Sequence, residues 1–412
     1  MNKKFLGILF FLLISNYFAQ ETFRVMTYNV LNYPSKISTT RNPYFKKVIK
    51  EIDPDILVVQ EMESAYGVQL FLNEVLDSNY IAGEFVDGYD TDNALFYKDS
   101  IFSFIDNEPI KTSLRNISQL TLLHKNSNDT LIIYSAHLKA SEGADNEIQR
   151  SEEVKKLREV TDKLPLGKYY LLIGDLNLYY SNEPAFQGLI NKSQSGYFID
   201  PLNKIGSWHN SSTYRDIHTQ STRLSNLSDE GSTGGLDDRF DMILASQAVI
   251  DSGGISYIPK TYKSFGNDGN HFNKAINELP NSYVSDEIAV ALYYSSDHLP
   301  VFADFEVKNL TSVKNPAKIP EDITLYQNYP NPFNATTIIE YSVSSEKIDH
   351  NPKISIKIYN VLGKEIETLV NKTHSSGNYK VQFNAENLAT GIYFCVLKLN
   401  NKIFIKKMTL LK

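Results

Sequence analysis

A short buried strand followed at once by polar residues is the feature that most constrains the fold of this chain. Residues 169–173 form an apolar run that is too short for a helix, and the run stops on Gly174, where the backbone can turn sharply. Asp175 and Asn177 follow, one residue apart, so in an extended chain end both side chains point to the same side. Because ligand sites gather beyond strand ends, the stretch indicates an active site or a plain exit into a turn, which Asp and Asn also favour.

Other segments of the chain repeat this pattern of a strand with a polar residue beside it. Apolar or alternating runs predict strands at residues 23–28, 56–60, 130–135, 240–245 and 301–305. The polar residues next to them are Asn29, Glu61, His137, Asp241, Asp297 and His298. Helices are predicted at residues 43–51, capped by Asn42 with Pro43 first, and at 65–76 and 147–164. Strands alternating with helices predict two sheets packed face to face with helices outside.

The polar residues at the strand ends suit a divalent cation and proton transfer. Mg²⁺ and Mn²⁺ prefer oxygen ligands, which Glu61, Asp297 and Asn29 could supply. His137 and His298 could give or take a proton near neutral pH. The set contains no cysteine, which disfavours a structural zinc site. Residues 180–238 are rich in Ser, Asn, Gly and Thr and predict long surface loops that shape a substrate cleft.

The charge of the chain argues against simple recruitment of a polyanion. The net charge of -7 conceals an asymmetry, because residues 20–321 carry 28 basic and 41 acidic side chains, a balance of -13. A field of that sign does not attract nucleic acid by itself. Either the substrate is not a long nucleic acid, or bound cations and local basic residues supply the attraction. Arg215, Arg223 and Arg239 could bind phosphates, although solvated loop charges are the simpler interpretation.

The two ends of the chain differ from its middle. Residues 1–19 have a basic start, an apolar run at 5–14 and a small residue at the exit, Ala19, and predict a secretory signal peptide; an uncleaved anchor is the alternative, but the run is shorter than the ~20 residues that span a membrane. Residues 20–308 form the predicted catalytic domain and 309–321 a polar linker. Residues 322–412 predict a small all-β sandwich, in which the one cysteine, Cys395, is a small buried hydrophobe.

Six short motifs together give a specific resemblance. They are residues 26–30 (MTYNV), 59–61 (VQE), 135–139 (SAHLK), 174–177 (GDLN), 238–241 (DRFD) and 296–298 (SDH). In this order they resemble the endonuclease/exonuclease/phosphatase superfamily, which includes pancreatic-type deoxyribonuclease, abasic-site endonucleases, neutral sphingomyelinases and inositol polyphosphate phosphatases. The resemblance implies an α/β fold, a four-layer α/β/β/α sandwich, for residues 20–308.

The resemblance also implies a metal site. Glu61 would bind the catalytic Mg²⁺, or Mn²⁺, with Asn29 and Asp297 close to it. A Ca²⁺ site at residues 87–93 is a weaker expectation, because that loop has oxygen ligands at alternate positions but lacks the closing Glu of the usual loop. A plain acidic turn is the simpler interpretation of that loop.

Five residues have implied roles in the chemistry. Asp175 and Asn177 would hold the attacking water and the scissile phosphate. His298, oriented by Asp241, would act as the general base or stabilise the transition state, and His137 would contact a phosphate oxygen. Whether Asp175 or His298 takes the proton from water stays open.

The tail carries a second resemblance. Residues 325–334 (LYQNYPNPFN), 361–364 (VLGK), 388–393 (LATGIY) and 406–408 (KKM) are similar to the C-terminal sorting domain of type IX secretion substrates. This similarity implies the type IX machinery as a partner and export through the outer membrane, to the cell surface or the medium. An adhesive β-module is the alternative.

The expected activity is that of a secreted, metal-dependent phosphodiester hydrolase. Our first hypothesis is an extracellular nuclease, an endonuclease acting on DNA or RNA. The second is the same chemistry on a phospholipid head group or a soluble phosphoester. The third, from another class, is a non-catalytic surface-binding protein. We expect no stable membrane insertion and a monomer.

Overall fold

The computed structural model describes residues 21–35, 38–251, 254–307, 323–343, 353–374, 377–399 and 402–412. The chain divides into two compact units, Met1–Leu310 and Thr311–Lys412. The predicted signal peptide at residues 1–19 and the predicted linker at 309–321 lie outside the described residues, so both stay predictions. No helix in the described ranges is long and apolar enough to cross a membrane.

The first unit alternates strands with helices. Its strands are β1 (Glu21–Tyr33), β2 (Ile56–Met62), β3 (Tyr80–Ala82), β4 (Asp92–Lys98), β5 (Phe102–Asn107), β6 (Ser118–His124), β7 (Thr130–His137), β8 (Tyr169–Asp175), β9 (Asp241–Ala245), β10 (Ile255–Tyr257), β11 (Lys263–Ser264) and β12 (Val301–Val307). Its helices are α1 (Ser38–Ile52), α2 (Ala65–Glu74), α3 (Ala144–Thr161), α4 (Pro184–Ile190), α5 (Gln247–Ile250) and α6 (Asp286–Ser295), with a short 3₁₀ helix at Ser212–Tyr214.

Two sheets form the centre of this unit. One has the order β10-β12-β1-β2-β4-β3, with β11 paired to β12, and the other has the order β5-β6-β7-β8-β9. β1 runs parallel to β2 in the first sheet, and β7 runs parallel to β8 in the second. Side chains such as Val25 and Val58 from the first sheet pack against Ile133, Ile173 and Ile243 from the second in one apolar core. Strands buried on both faces read as continuous apolar runs, which explains the run at residues 169–173.

Helices cover the outer faces of both sheets. Phe45 of α1, Phe71 of α2 and Leu292 of α6 belong to the apolar core on the outside of the first sheet. Leu157 of α3 and Phe186 of α4 belong to the core on the outside of the second. The predicted four-layer α/β/β/α sandwich is therefore confirmed.

Some local predictions were wrong. α1 begins at Ser38, so Pro43 lies inside the helix rather than at its first position. Asn42 does not cap the helix; its side-chain oxygen instead accepts a hydrogen bond from the Tyr33 hydroxyl at 3.0 Å. Helices α4 and α6 were not predicted from the sequence, although Ser285 caps α6 by accepting from the backbone N–H of Ile288.

Gly174 does not end its strand as predicted, because β8 continues through it to Asp175. Its φ is +130°, a conformation that favours glycine. A Cβ atom at this position would lie 2.1 Å from the carbonyl oxygen of Ala136 on β7. The glycine is therefore required for the close approach of the two parallel strands that carry His137 and Asp175.

The second unit is all-β, as predicted. Its strands are β13 (Ile323–Leu325), β14 (Thr336–Val343), β15 (Lys353–Asn360), β16 (Glu365–Thr373), β17 (Gly377–Asn384), β18 (Gly391–Leu399) and β19 (Lys402–Leu410). They form two antiparallel sheets with the orders β13-β14-β17 and β16-β15-β18-β19. Cys395 lies in the core of this unit, and burial raises the pKa of its thiol to about 12. It therefore behaves as the small buried hydrophobe that the sequence predicts.

A buried arginine fixes the loops that follow β7 and β8. Nε of Arg150 on α3 donates to Glu183 at 2.8 Å, and its Nη1 donates to the carbonyl oxygens of Lys139 and Ser141, each at 2.9 Å. The other carboxylate oxygen of Glu183 accepts from the backbone N–H of Tyr179 at 2.7 Å. One guanidinium thus ties together the loops that leave the ends of both strands.

We predict that Arg150→Met lowers the free energy of unfolding by about 3–5 kcal/mol, because it leaves the Glu183 carboxylate buried without its partner. The matched control is Lys155→Met on the same helix, whose exposed ion pair with Glu152 should contribute less than about 1 kcal/mol. Urea unfolding followed by fluorescence measures both, since the one tryptophan, Trp208, is buried in the first unit. Equal unfolding midpoints for the two variants would contradict the prediction.

Candidate active site

The predicted site residues converge from both sheets. Nδ2 of Asn29, on β1, donates to Oε1 of Glu61 on β2 at 2.9 Å and to Oδ2 of Asp175 on β8 at 3.1 Å. Nε2 of His137, at the end of β7, lies 3.5 Å from the same Asp175 oxygen. Nε2 of His298 lies 3.7 Å from it. Asn29 therefore bridges the parts of the site that the two sheets supply.

An irregularity in the first sheet aims two of these side chains. The pairing of β1 with β2 shifts register between Asn29 and Tyr33, and Glu61 has a φ of +62°. Leu31 and Asn32 also have positive φ values. Bulges re-aim side chains and are common next to active sites. Asn29 is thus not at a strand end as predicted, but at a bulge inside a longer strand.

The Glu61 carboxylate is held by two donors but remains electrostatically unfavourable. Besides the Asn29 amide, it accepts a hydrogen bond from the backbone N–H of Asn32 at 2.9 Å. Burial raises the pKa of Glu61, and the negative charge of Asp297 raises it further. A positive charge at this position would therefore be stabilised.

Asp175, the last residue of β8, and Asn177 occupy a tight turn at the end of that strand. The other Asp175 oxygen, Oδ1, accepts from the backbone N–H of Asn177 at 3.1 Å, and Asn177 has a φ of +48°, so the chain end is not extended as predicted. The Asn177 amide donates to the carbonyl oxygen of Leu138 at 3.2 Å. Burial raises the pKa of Asp175 to about 7; the charges of Asp241 and Glu61 add to this effect, and His298 opposes it.

The two histidines have opposite electrostatic environments. Burial lowers the pKa of His137 well below its usual value, and the positive charges of Arg115 and His298 lower it further, so the ring is neutral. Burial also opposes the charged form of His298, but Asp241, Asp175 and Asp297 outweigh it and raise the pKa well above its usual value. Nδ1 of His298 contacts Oδ2 of Asp241 at 2.7 Å. This contact fixes the ring and directs Nε2 toward the centre of the site.

Asp297 is positioned by a loop that no sequence motif connects with the site. Its Oδ2 accepts a hydrogen bond from the backbone N–H of Ser232 at 2.7 Å. The loop is fixed by Arg223, which donates to both oxygens of Asp229 at 2.6 and 2.7 Å. The side chains of this ion pair are buried.

The interpretation of Arg223 and Arg239 as solvated loop charges was wrong. Both side chains are buried, and Arg239 makes two hydrogen bonds to Asp200 at 2.8 and 2.9 Å. Because both guanidinium groups are buried and paired with carboxylates, neither is exposed to bind phosphate. Arg239 also does not pair with Asp241, which leaves that carboxylate to His298.

Two groups of possible metal ligands occur among the described residues. Within each group, ligand atoms lie within 4.8 Å of one another; the groups are Glu61, His137 and Asp175, and His209, Asp237 and Asp238. The first is part of the site and suits a divalent cation, because it offers two carboxylates within reach of one ion. Asp297 is not in this group, although its charge acts on Glu61.

The loop at residues 87–93 belongs to neither group of ligands. Oδ2 of Asp92 accepts from the backbone N–H of Gly88 at 2.7 Å. Asp90 forms an ion pair with Arg115 at 3.5 Å. These contacts fit the acidic turn that was the simpler interpretation of the sequence.

Two further residues contact the site but were missed from the sequence. The side-chain amide of Gln220 lies 2.6 Å from Nε2 of His298. The hydroxyl of Thr219 accepts hydrogen bonds from the backbone N–H groups of Phe240 and Asp241 at 3.2 and 3.1 Å. Both lie in the loop-rich segment 180–238, where no strand or motif marks them. The expectation that these loops shape a cleft was the nearest signal.

Sequence comparison matches both units of the chain to known families. Residues 26–298 match the endonuclease/exonuclease/phosphatase family, and residues 327–410 match the secretion system C-terminal sorting domain. A search of curated proteins finds no match.

Solved structures with a similar fold include three with different described ligands or activities. Zebrafish (D. rerio) TDP2, complexed with a single-strand DNA product, is 17% identical with a TM-score of 0.49, over 69% of this chain and 98% of that chain. A mannosyl-6-phosphatase of Bacteroides thetaiotaomicron is 16% identical with a TM-score of 0.45, over 69% and 99%. The catalytic domain of human Nocturnin with bound sulfate is 17% identical with a TM-score of 0.41, over 70% and 97%.

We predict that Asp175→Asn stabilises the metal-free protein increasingly as the pH rises from 4 to 7. The pKa of Asp175 is about 7 in the folded protein and about 3.9 in the unfolded chain. The stability that its protonated form gives the folded protein is therefore fully present below about pH 3.9, and it is lost as the pH rises through 7. The asparagine variant, which cannot ionise, should therefore gain a few kcal/mol over wild type at pH 8, since each unit corresponds to about 1.4 kcal/mol.

Urea unfolding in EDTA at several pH values, followed by Trp208 fluorescence, measures this difference. Asp99→Asn is the matched control, because Asp99 is an exposed surface residue. A difference between Asp175→Asn and wild type that does not change with pH would contradict the prediction.

Proposed function

The chain belongs to the endonuclease/exonuclease/phosphatase family, and we propose that it is a divalent-metal-dependent phosphodiester hydrolase. The observation that carries the proposal is the buried contact of Asn29, Glu61, Asp175 and His298, four residues from distant segments. Its C-terminal sorting domain marks the protein for export through the type IX system, to the cell surface or the medium.

The donor set fits a hard divalent cation such as Mg²⁺ or Mn²⁺. Glu61 is a mostly buried carboxylate whose charged form is disfavoured by burial and by Asp297, so a cation there offsets an existing cost. Glu61 and Asp297 would hold the ion with their carboxylates, and Asn29 would contribute its amide oxygen, which now accepts from the backbone N–H of Leu31 at 3.0 Å. When bound, it supplies Lewis-acid stabilisation of charge on the phosphoryl oxygens.

The remaining residues act on the water and the phosphate. Asp175 and Asn177 hold the attacking water and the scissile phosphate, supported by the turn that fixes them together. Asp241 orients His298 so that Nε2 exchanges a proton with the reacting groups or stabilises their charge. His137, buried and neutral, donates to a phosphate oxygen through the ring nitrogen nearest Asp175.

Nucleic acid is the first candidate substrate. An exported family member meets extracellular DNA or RNA, and internal cleavage of such a strand needs no membrane attachment. The acidic balance of residues 20–321 then requires that bound cations supply the attraction.

A soluble phosphoester is the second candidate, and the rim of the site favours it. The loops after β7 and β8 bring Glu142 to the hydroxyl of Tyr180 at 2.8 Å. His209 contacts Asp238 at 2.7 Å, and the Tyr179 ring packs against His209 with 5.3 Å between ring centres. Carboxylates beside aromatic rings suit a hydroxyl-bearing group better than a second phosphate, which they repel.

We expect Glu61→Ala and His298→Ala each to lower kcat by at least about 10²–10⁴-fold, because one removes a proposed metal ligand and the other the proton-exchanging imidazole. EDTA should abolish wild-type hydrolysis, and added Mg²⁺ should restore it. Glu74→Ala, at the end of α2, is the control. Folding of each variant is checked by Trp208 fluorescence, and full activity in either folded variant would refute the site assignment.

A panel of plasmid DNA, RNA, sphingomyelin and a small synthetic phosphodiester, each with and without EDTA, identifies the substrate class. If the substrate is nucleic acid, moderate salt or Asp237→Asn should raise kcat/KM, because both reduce repulsion from the rim. A small phosphoester should respond little to salt. Inertness on every phosphoester, with or without metal, would refute the hydrolase and favour a non-catalytic surface-binding protein.

A further inference from the structure

The side-chain amide of Gln220 lies against the imidazole of His298 on the side that Asp241 leaves open. Nδ1 of His298 is held by Asp241 at 2.7 Å, so Nε2 is the nitrogen available to the reacting groups. The nitrogen of the Gln220 amide lies 2.6 Å from this ring nitrogen and donates to Oδ2 of Asp297 at 3.5 Å. One amide therefore contacts both the imidazole and a proposed metal ligand.

The main chain fixes Gln220 in this position from two sides. Its backbone N–H donates to the carbonyl oxygen of Asp238 at 3.2 Å, and its own carbonyl accepts from the N–H groups of Asp237 and Asp238 at 2.9 and 3.0 Å. The preceding residue, Thr219, accepts from the N–H of Leu299 at 2.7 Å. The loop is thus attached both to the segment before β9 and to the residue after His298. The amide is held by the fold even though its side chain is only half-buried.

From these contacts we propose that Gln220 is a further substrate-binding residue, whose amide N–H donates to a phosphoryl oxygen beside Nε2 of His298. An amide carries an acceptor oxygen and two N–H donors, and rotation exchanges them. It can therefore pair with the ring when no substrate is bound and turn its donors to the phosphate when one enters. Any oxygen that reaches Nε2 arrives within contact distance of this amide. This inference rests on the proposed function.

A purely structural role, in which Gln220 only holds the His298 ring, makes a different prediction. Gln220→Glu keeps an acceptor for the ring but replaces the N–H donors with a negative charge. Gln220→Met keeps the length of the side chain and removes both. A residue that binds phosphate must lose affinity in both variants, and more in the glutamate because of repulsion. A residue that only holds the ring leaves phosphate affinity unchanged in Gln220→Met, whereas the glutamate repels phosphate in either case.

The experiment measures kcat/KM and the inhibition constant of inorganic phosphate in the full-length, Mg²⁺-loaded protein. We expect Gln220→Met to lower kcat/KM roughly 10- to 100-fold and to raise the phosphate inhibition constant by a similar factor, the range of a hydrogen bond to a charged group. Gln220→Glu should show the larger loss, with unfolding midpoints unchanged. Gln194→Met, in an exposed loop, is the matched control. Phosphate affinity that is unchanged in Gln220→Met would overturn the inference.

Calorimetric titration of inorganic phosphate separates this inference from the proposed function, because it needs no turnover. If wild type hydrolyses nothing but binds phosphate, and Gln220→Met does not bind it, the function fails and the inference stands. If wild type cleaves a substrate and Gln220→Met binds phosphate equally well, the inference fails and the function stands. If wild type neither cleaves nor binds phosphate, both fail.

Discussion

The crowding of carboxylates at the strand ends of the two packed sheets is the constraint on which the rest of this structure depends. Asp175, Asp241 and Asp297 are buried around one imidazole, His298, and Glu61 beside them is mostly buried. Burial without full compensation disfavours the charged form of a carboxylate, and for two of these groups the pKa is raised as a result. Such an arrangement persists only where a large surrounding core holds it, and the two apolar faces of each sheet provide that core.

The same constraint explains the backbone irregularities next to the site. Glu61 and Asn177 both have positive φ values, which are uncommon for residues other than glycine and cost of order 1–3 kcal/mol each. The first turns its carboxylate toward Asn29, and the second lets Asp175 accept a backbone N–H. The strained backbone at these two positions therefore places the charged groups, since a regular strand would point these side chains away from the site.

The sequence predicted the site better than the loops around it, for a physical reason. The length and period of an apolar run indicate a buried strand, so Glu61 and Asp175 could be recognised as polar residues beside such strands. Gln220 could not, because main-chain pairing with residues before β9 and after His298 fixes it, and no local pattern encodes such pairing. Arg223 was misread for a similar reason: its burial depends on Asp229 folding back against it, and the spacing of the two residues does not show this. Contacts between residues far apart in the sequence determine these positions, and local secondary-structure propensity does not.

Buried ion pairs do here what cross-links do in other exported proteins. With one cysteine, the chain cannot form an internal disulfide. Instead Arg150–Glu183 joins α3 to the loop after β8, Arg223–Asp229 closes one loop on itself, and Arg239–Asp200 joins two loop segments. A buried ion pair adds little net stability compared with apolar residues in its place, but removing one partner strongly destabilises the fold. Each pair therefore disfavours loop conformations in which its two charges are separated. Two of these loops border the site, one through Tyr179 and the other through Ser232 at Asp297. Buried ion pairs outside the site therefore help to fix the positions of the residues that form it.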